Sequence, residues 1–126
     1  MLTLTSEAAR AALPFDRLIA ALREHFTSTC EVPLRHVHEI ASPGGGKITS
    51  LIMPAWLPGR YYGVKIVNIA PGNARRNLPG LHATYLLFDA RTGVPLAQMD
   101  GDVITARRTA ATSALAGSYL AREESK

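Results

Sequence analysis

Three cations stand where their chemistry is an open question. Lys65 falls in the middle of the apolar run YYGVKIVNI, Arg35 follows Pro33 at the head of another run, and Arg108 closes the adjacent pair Arg107-Arg108. A lysine among strand-centre apolar residues lies on a solvated face, the commoner case, or is held in a pocket for a purpose. In a pocket its ammonium would bind a carboxylate or give a proton to an imine nitrogen. Arginine is the better carboxylate fork and lysine the better proton donor, so three such groups converging on one small anion would divide the work. Spacing alone does not bring them together. The arginine pair, read as lying near a helix start, would strengthen an anion site made by unpaired N–H groups, with Thr105 or Thr109 adding a hydroxyl. A solvated pair on a surface helix is the plainer alternative.

Other candidates carry less. His36 and His38 share a strand face at i, i+2, but no third ligand has metal-site spacing, so no metal is expected. His25 with Cys30 matches no zinc or nucleophile pattern. Asp100 and Asp102 flank Gly101, which a turn and a helix cap explain. SPGGGK lacks the spacing and the hydroxyl of a phosphate loop and joins two expected strands. Met53, Trp56, Tyr61 and Tyr62 line a pocket or fill core, with core the commoner fate.

The elements that must position these residues follow from periodicity. Thr5-Ser6 caps a short helix over EAARAAL, and Pro14 opens a second in PFDRLIAALREHF, whose Phe15, Leu18, Ile19, Leu22 and Phe26 share one face. Strands are expected in VPLRHVHEIA, KITSLIM, YYGVKIVNIA, HATYLLFDA and VPLAQMD, with turns at SPGGG and RTG and loops at PAWLPG and through Gly80. Alternation puts Gly63, Lys65 and Val67 on one face of their strand. The expected fold class is α+β. It comprises a mainly antiparallel sheet of five to six strands, N-terminal helices and a C-terminal helix, in one domain over residues 1–126.

Composition narrows the partners. The chain has 126 residues, 47% hydrophobic and 19% charged, with a net charge of +4. An anionic partner fits that sign, but the charge is scattered and no long basic run exists, so neither nucleic acid nor a membrane surface is expected. The single cysteine excludes an internal disulfide and suits a reducing compartment. Charges break up residues 1–22, which argues against a signal peptide, and no run of about eighteen apolar residues occurs, so the cytoplasm is expected.

Taken together, VPLR, LIMPAW, GVKIVNIAPGN, ATYLLFDARTGVPLAQMDG and ITARRTAATSALAGSYLA resemble the ornithine cyclodeaminase/mu-crystallin family in order and across nearly the whole chain. The resemblance implies an NAD(P)-dependent enzyme of amino-acid metabolism, usually dimeric, that acts on a small amino-acid-like carboxylate. It implies that Arg35, Lys65 and Arg108 grip the substrate carboxylate, with Met53 of LIMPAW beside them and Lys65 also next to the reacting nitrogen. Arg108 and Thr109 would border the nicotinamide end of the cofactor, as would position 80, where Gly80 stands in place of the Ser or Thr of many relatives. The wording PGLHA resembles imine-reducing members more than cyclodeaminases.

Family members are more than twice this long and continue into a glycine-rich dinucleotide-binding Rossmann domain. Here the chain stops at REESK. Residues 1–126 are therefore expected to be the substrate-binding and dimerisation part, with little cofactor affinity and no turnover alone. Part of the last helix's apolar face (Leu115, Tyr119, Leu120) is expected to be exposed. A non-catalytic carboxylate-binding or dimerisation module is the alternative.

Overall fold

Alternating apolar residues do build the sheet. In the computed structural model, which describes residues 1–43 and 46–124, six strands run in the order β1-β6-β5-β4-β3-β2. They are β1 (Leu2–Leu4), β2 (His36–Ser42), β3 (Gly46–Leu57), β4 (Tyr61–Ile69), β5 (Leu81–Asp89) and β6 (Pro95–Asp100). All neighbours are antiparallel except β1 and β6, which pair in parallel. The class is α+β with a mixed, mainly antiparallel sheet. Its sixth strand is the N-terminal LTL, too short to show a pattern in the sequence.

The helices are α1 (Ser6–Ala12), α2 (Phe15–His25) and α3 (Gly101–Leu120), with a 3-10 turn at Pro71–Arg76. Thr5 caps α1 by accepting from the Ala8 N–H, and Asp100 caps α3 by accepting from the Asp102 N–H. That cap corrects one expectation. Because α3 starts at Gly101, Arg107 and Arg108 lie about two turns inside it and not at its head.

The expected loop PAWLPG is also corrected, because β3 runs on through Pro54 to Leu57. The reason is local edge geometry. β2 begins only at His36, opposite Ile52, so one edge of β3 is free beyond that point except for the Glu31–Trp56 bridge. Trp56 N–H donates to Glu31 on that side, so the missing N–H of Pro54, two residues back, faces an edge with nothing to bond. Residues 32–35, expected in a strand, instead swing away from this edge and leave a gap. The expected turn at 42–46 falls partly on residues 44 and 45, outside the described residues.

The helices cover one face of the sheet. Gly101 is the close-approach point, since a Cβ there would sit 2.7 Å from the Ala83 carbonyl carbon and the Thr84 nitrogen. Small buried residues, among them Ala9, Val67, Ala97, Val103 and Ala111, fill the joint. Leu115 belongs to this core at 6% exposure, contrary to expectation, while Tyr119 and Leu120 are exposed. The other face has no described helix on it and carries Ile52, Ile66, Leu86 and Phe88, each half-buried. There Tyr62 stacks on Phe88 with ring centroids 5.2 Å apart.

Candidate functional site

Strand register builds the floor of the site. Met53, Lys65, Tyr85 and Met99 are consecutive cross-strand partners on β3, β4, β5 and β6, so their side chains form one row on the helix-covered face. α3 crosses this row. Its Ile104, Thr105 and Arg108 fall on one helical face at i, i+1 and i+4, turned toward Lys65. The gap left by residues 32–35 brings in Arg35 from the third side. The result is a cavity of about 710 Å³ lined by Arg35, Met53, Lys65, Tyr85, Met99, Ile104 and Arg108, with Leu13 and Leu18 from α1–α2.

Electrostatics sets this cavity apart. Among the described residues, no Asp or Glu lines it. The one ion pair among the described residues, Lys47–Glu39, lies elsewhere on the surface. Burial depresses the Lys65 ammonium below its ordinary range, and the nearby Arg108 and Arg35 guanidinium groups push it further the same way. Lys65 Nζ donates to Thr105 Oγ1 at 3.2 Å, and that hydroxyl donates to the Gly101 carbonyl at 2.8 Å. Three like charges with no acidic group among the described lining residues give the cavity a positive potential, which favours an anion.

Of the sequence candidates, Arg35, Met53, Lys65 and Arg108 come together here. Thr109 and Gly80 do not line the cavity. Thr109 is exposed on α3 beside Arg108. Gly80 precedes β5, five residues from Tyr85, and its carbonyl accepts from the Ala70 N–H at 2.8 Å. The arginine pair splits. Arg107 Nε donates to the Leu13 carbonyl at 2.6 Å and its guanidinium lies 4.1 Å from the Phe15 ring centroid. It is a strap between α3 and the α1–α2 junction. His36 and His38 sit exposed on the helix-free face, and no group of three metal-ligating residues occurs among the described residues.

Tyr85 was missed by sequence reasoning. Its ring lies over Gly63, where an added Cβ would collide with the phenol oxygen. Burial raises its phenol, with a smaller push from Cys30. Together with Ala55 it also lines a second cavity of about 300 Å³. The available signal was register, since Tyr85 is the partner of Lys65 once the hairpins are aligned.

The described residues fit a dinucleotide only in part. No glycine-rich strand-to-helix turn occurs among them, and the N–H groups at the head of α3 are capped by the Asp100 carboxylate, which repels phosphate. Arg108 and Thr109, expected beside a nicotinamide ring, are both exposed on α3.

Comparison with known proteins agrees with the fold. The family model for the ornithine cyclodeaminase/mu-crystallin family matches residues 4–126. An uncharacterized Schizosaccharomyces pombe protein is 46% identical over 125 residues, covering 97% of this chain and 38% of its own length. The Thermococcus litoralis Δ1-pyrroline-2-carboxylate reductase, solved with NADH and L-proline, superposes with a TM-score of 0.83 at 35% identity, over 100% of this chain and 40% of that one. An archaeal alanine dehydrogenase dimer with bound NAD gives 0.82 at 34% identity, over 100% and 39%. The chain thus spans about two-fifths of the length of these relatives. It belongs to the ornithine cyclodeaminase/mu-crystallin family.

Proposed function

We propose that residues 1–126 form the substrate-binding part of an NAD(P)-dependent enzyme that reduces a cyclic imino acid of the Δ1-pyrroline-2-carboxylate type, with ornithine cyclodeamination as the alternative within the family. The observation that carries this reading is the cavity of Arg35, Lys65 and Arg108, with no acidic group among the described residues of its wall. Arg35 and Arg108 fork the carboxylate and fix the imine plane. Lys65, in its ammonium form, gives its proton to the imine nitrogen and regains one from solvent; its depressed pKa makes it a stronger acid than an exposed lysine. Bound nicotinamide supplies the hydride for the imine carbon. Met53 and Met99 flank the row as adaptable apolar surface for the ring. The cofactor is held mainly outside residues 1–126, so the chain alone turns over no imine, and the exposed thiol of Cys30 suits a cytoplasmic setting.

A role in self-association has its own support. The helix-free sheet face offers Ile52, Ile66, Leu86 and Phe88 as a contiguous apolar surface for a second copy.

Calorimetric titration of pyrrole-2-carboxylate and its carboxamide into the chain tests the carboxylate reading. The acid is expected to bind and the amide not; equal heats would refute it. NADPH oxidation by the 126-residue chain with Δ1-pyrroline-2-carboxylate would overturn the division of labour.

A further inference from the structure

We propose that Thr105 is the positioning residue for Lys65: its hydroxyl takes one of the three ammonium N–H bonds and leaves the other two aimed into the cavity. The inference deepens the function proposed above and rests on it for the use made of those two bonds.

The geometry is a chain of three links. Gly101, lacking a Cβ, lets the first turn of α3 approach the β5 backbone more closely than any other residue would allow. That approach brings Thr105, one turn on, within 3.2 Å of Lys65 Nζ. The Thr105 hydroxyl is itself fixed, because it donates to the Gly101 carbonyl four residues back at 2.8 Å. With its proton committed there, the oxygen offers Lys65 only lone pairs, so it is an acceptor for the ammonium and has no proton left for a neutral amine.

This orients a lysine that has no carboxylate partner among the described residues. The groups around it are Arg35, Arg108, Tyr85 and Met53. The two arginines repel the charge, and none of the four hydrogen-bonds to the Lys65 ammonium. Thr105 is its one hydrogen-bond partner among the described residues. An ammonium has three donors. One goes to Thr105, one can meet a substrate carboxylate oxygen, and one remains for the imine nitrogen. Without Thr105 the flexible four-carbon stem would have no fixed end, and the cation would turn away from its two arginine neighbours.

The test is an NMR titration of the Lys65 side chain in the 126-residue protein and in Thr105→Val, Thr105→Ala and Thr105→Ser. Valine keeps the shape and removes the acceptor; serine keeps the acceptor. The Lys65 midpoint is expected to fall by about one pH unit in the valine and alanine variants and to stay near wild type in the serine variant. A midpoint unmoved in valine and alanine, or displaced equally in all three, would overturn the proposal. Pyrrole-2-carboxylate titrated into the same samples separates the two claims. If Thr105 shifts Lys65 but the wild-type chain binds no carboxylate, the positioning stands and the carboxylate reading fails. If the wild type binds and Lys65 ignores Thr105, the reverse holds.

Discussion

Lys65 and Thr105 meet across the seam between β4 and α3 at 3.2 Å, and the seam is narrow enough for that contact because residue 101 is a glycine. A methyl at position 101 would press on the β5 backbone, which has no rotamer with which to yield. Gly101→Ala is therefore expected to cost about 1–3 kcal/mol by overpacking, even though alanine is the better helix former. Chemical denaturation checks this, and a variant as stable as wild type would contradict it.

The adjacent arginines should behave as opposites. Arg107→Ala removes the bond to the Leu13 carbonyl and the contact with Phe15, so it should lower stability by about 1–2 kcal/mol with carboxylate affinity nearly unchanged. Arg108→Ala should leave stability near wild type, or raise it by relieving Lys65, and weaken pyrrole-2-carboxylate binding about tenfold or more. Paired melting and calorimetry decide the point. The same phenotype in both variants would contradict the split.

Binding should depend on pH with a definite sign. Lys65 titrates below its unfolded value of 10.5, and a bound carboxylate would favour its charged form. Association between the free and bound midpoints therefore takes up a proton, and affinity falls by at most about tenfold per pH unit as pH rises through that window. The unfolded chain holds more protons than the folded one between the depressed midpoint and 10.5, so Lys65 makes stability rise with pH there. Lys65→Met should abolish both dependences. Calorimetry in buffers of differing ionisation heat measures the proton uptake, and none at any alkaline pH would contradict the assignment.

Much of this was legible in the sequence because strand alternation needs no knowledge of partners. YYGVKIVNI alone put Gly63, Lys65 and Val67 on one face, and the structure turns that face to the helices. The four residues named for the substrate share one cavity. What misled was information that exists only after pairing. Pro54 reads as a breaker until β2 is seen to stop short and leave its side of β3 unpaired. Tyr85 carries no signal of its own until the hairpins set it opposite Lys65. The arginine pair is a different case, since an Asp100 cap visible in the sequence already sets the helix start at Gly101 and so puts both arginines about two turns inside.

The central claim is that an anion is held by a lysine that has no acidic partner among the described residues. Pyrrole-2-carboxylate binding to wild type and Lys65→Met, measured by calorimetry at neutral pH, tests it most directly. The variant should fold at least as stably and bind about ten- to a hundredfold more weakly. Undiminished affinity in a folded Lys65→Met protein would contradict it.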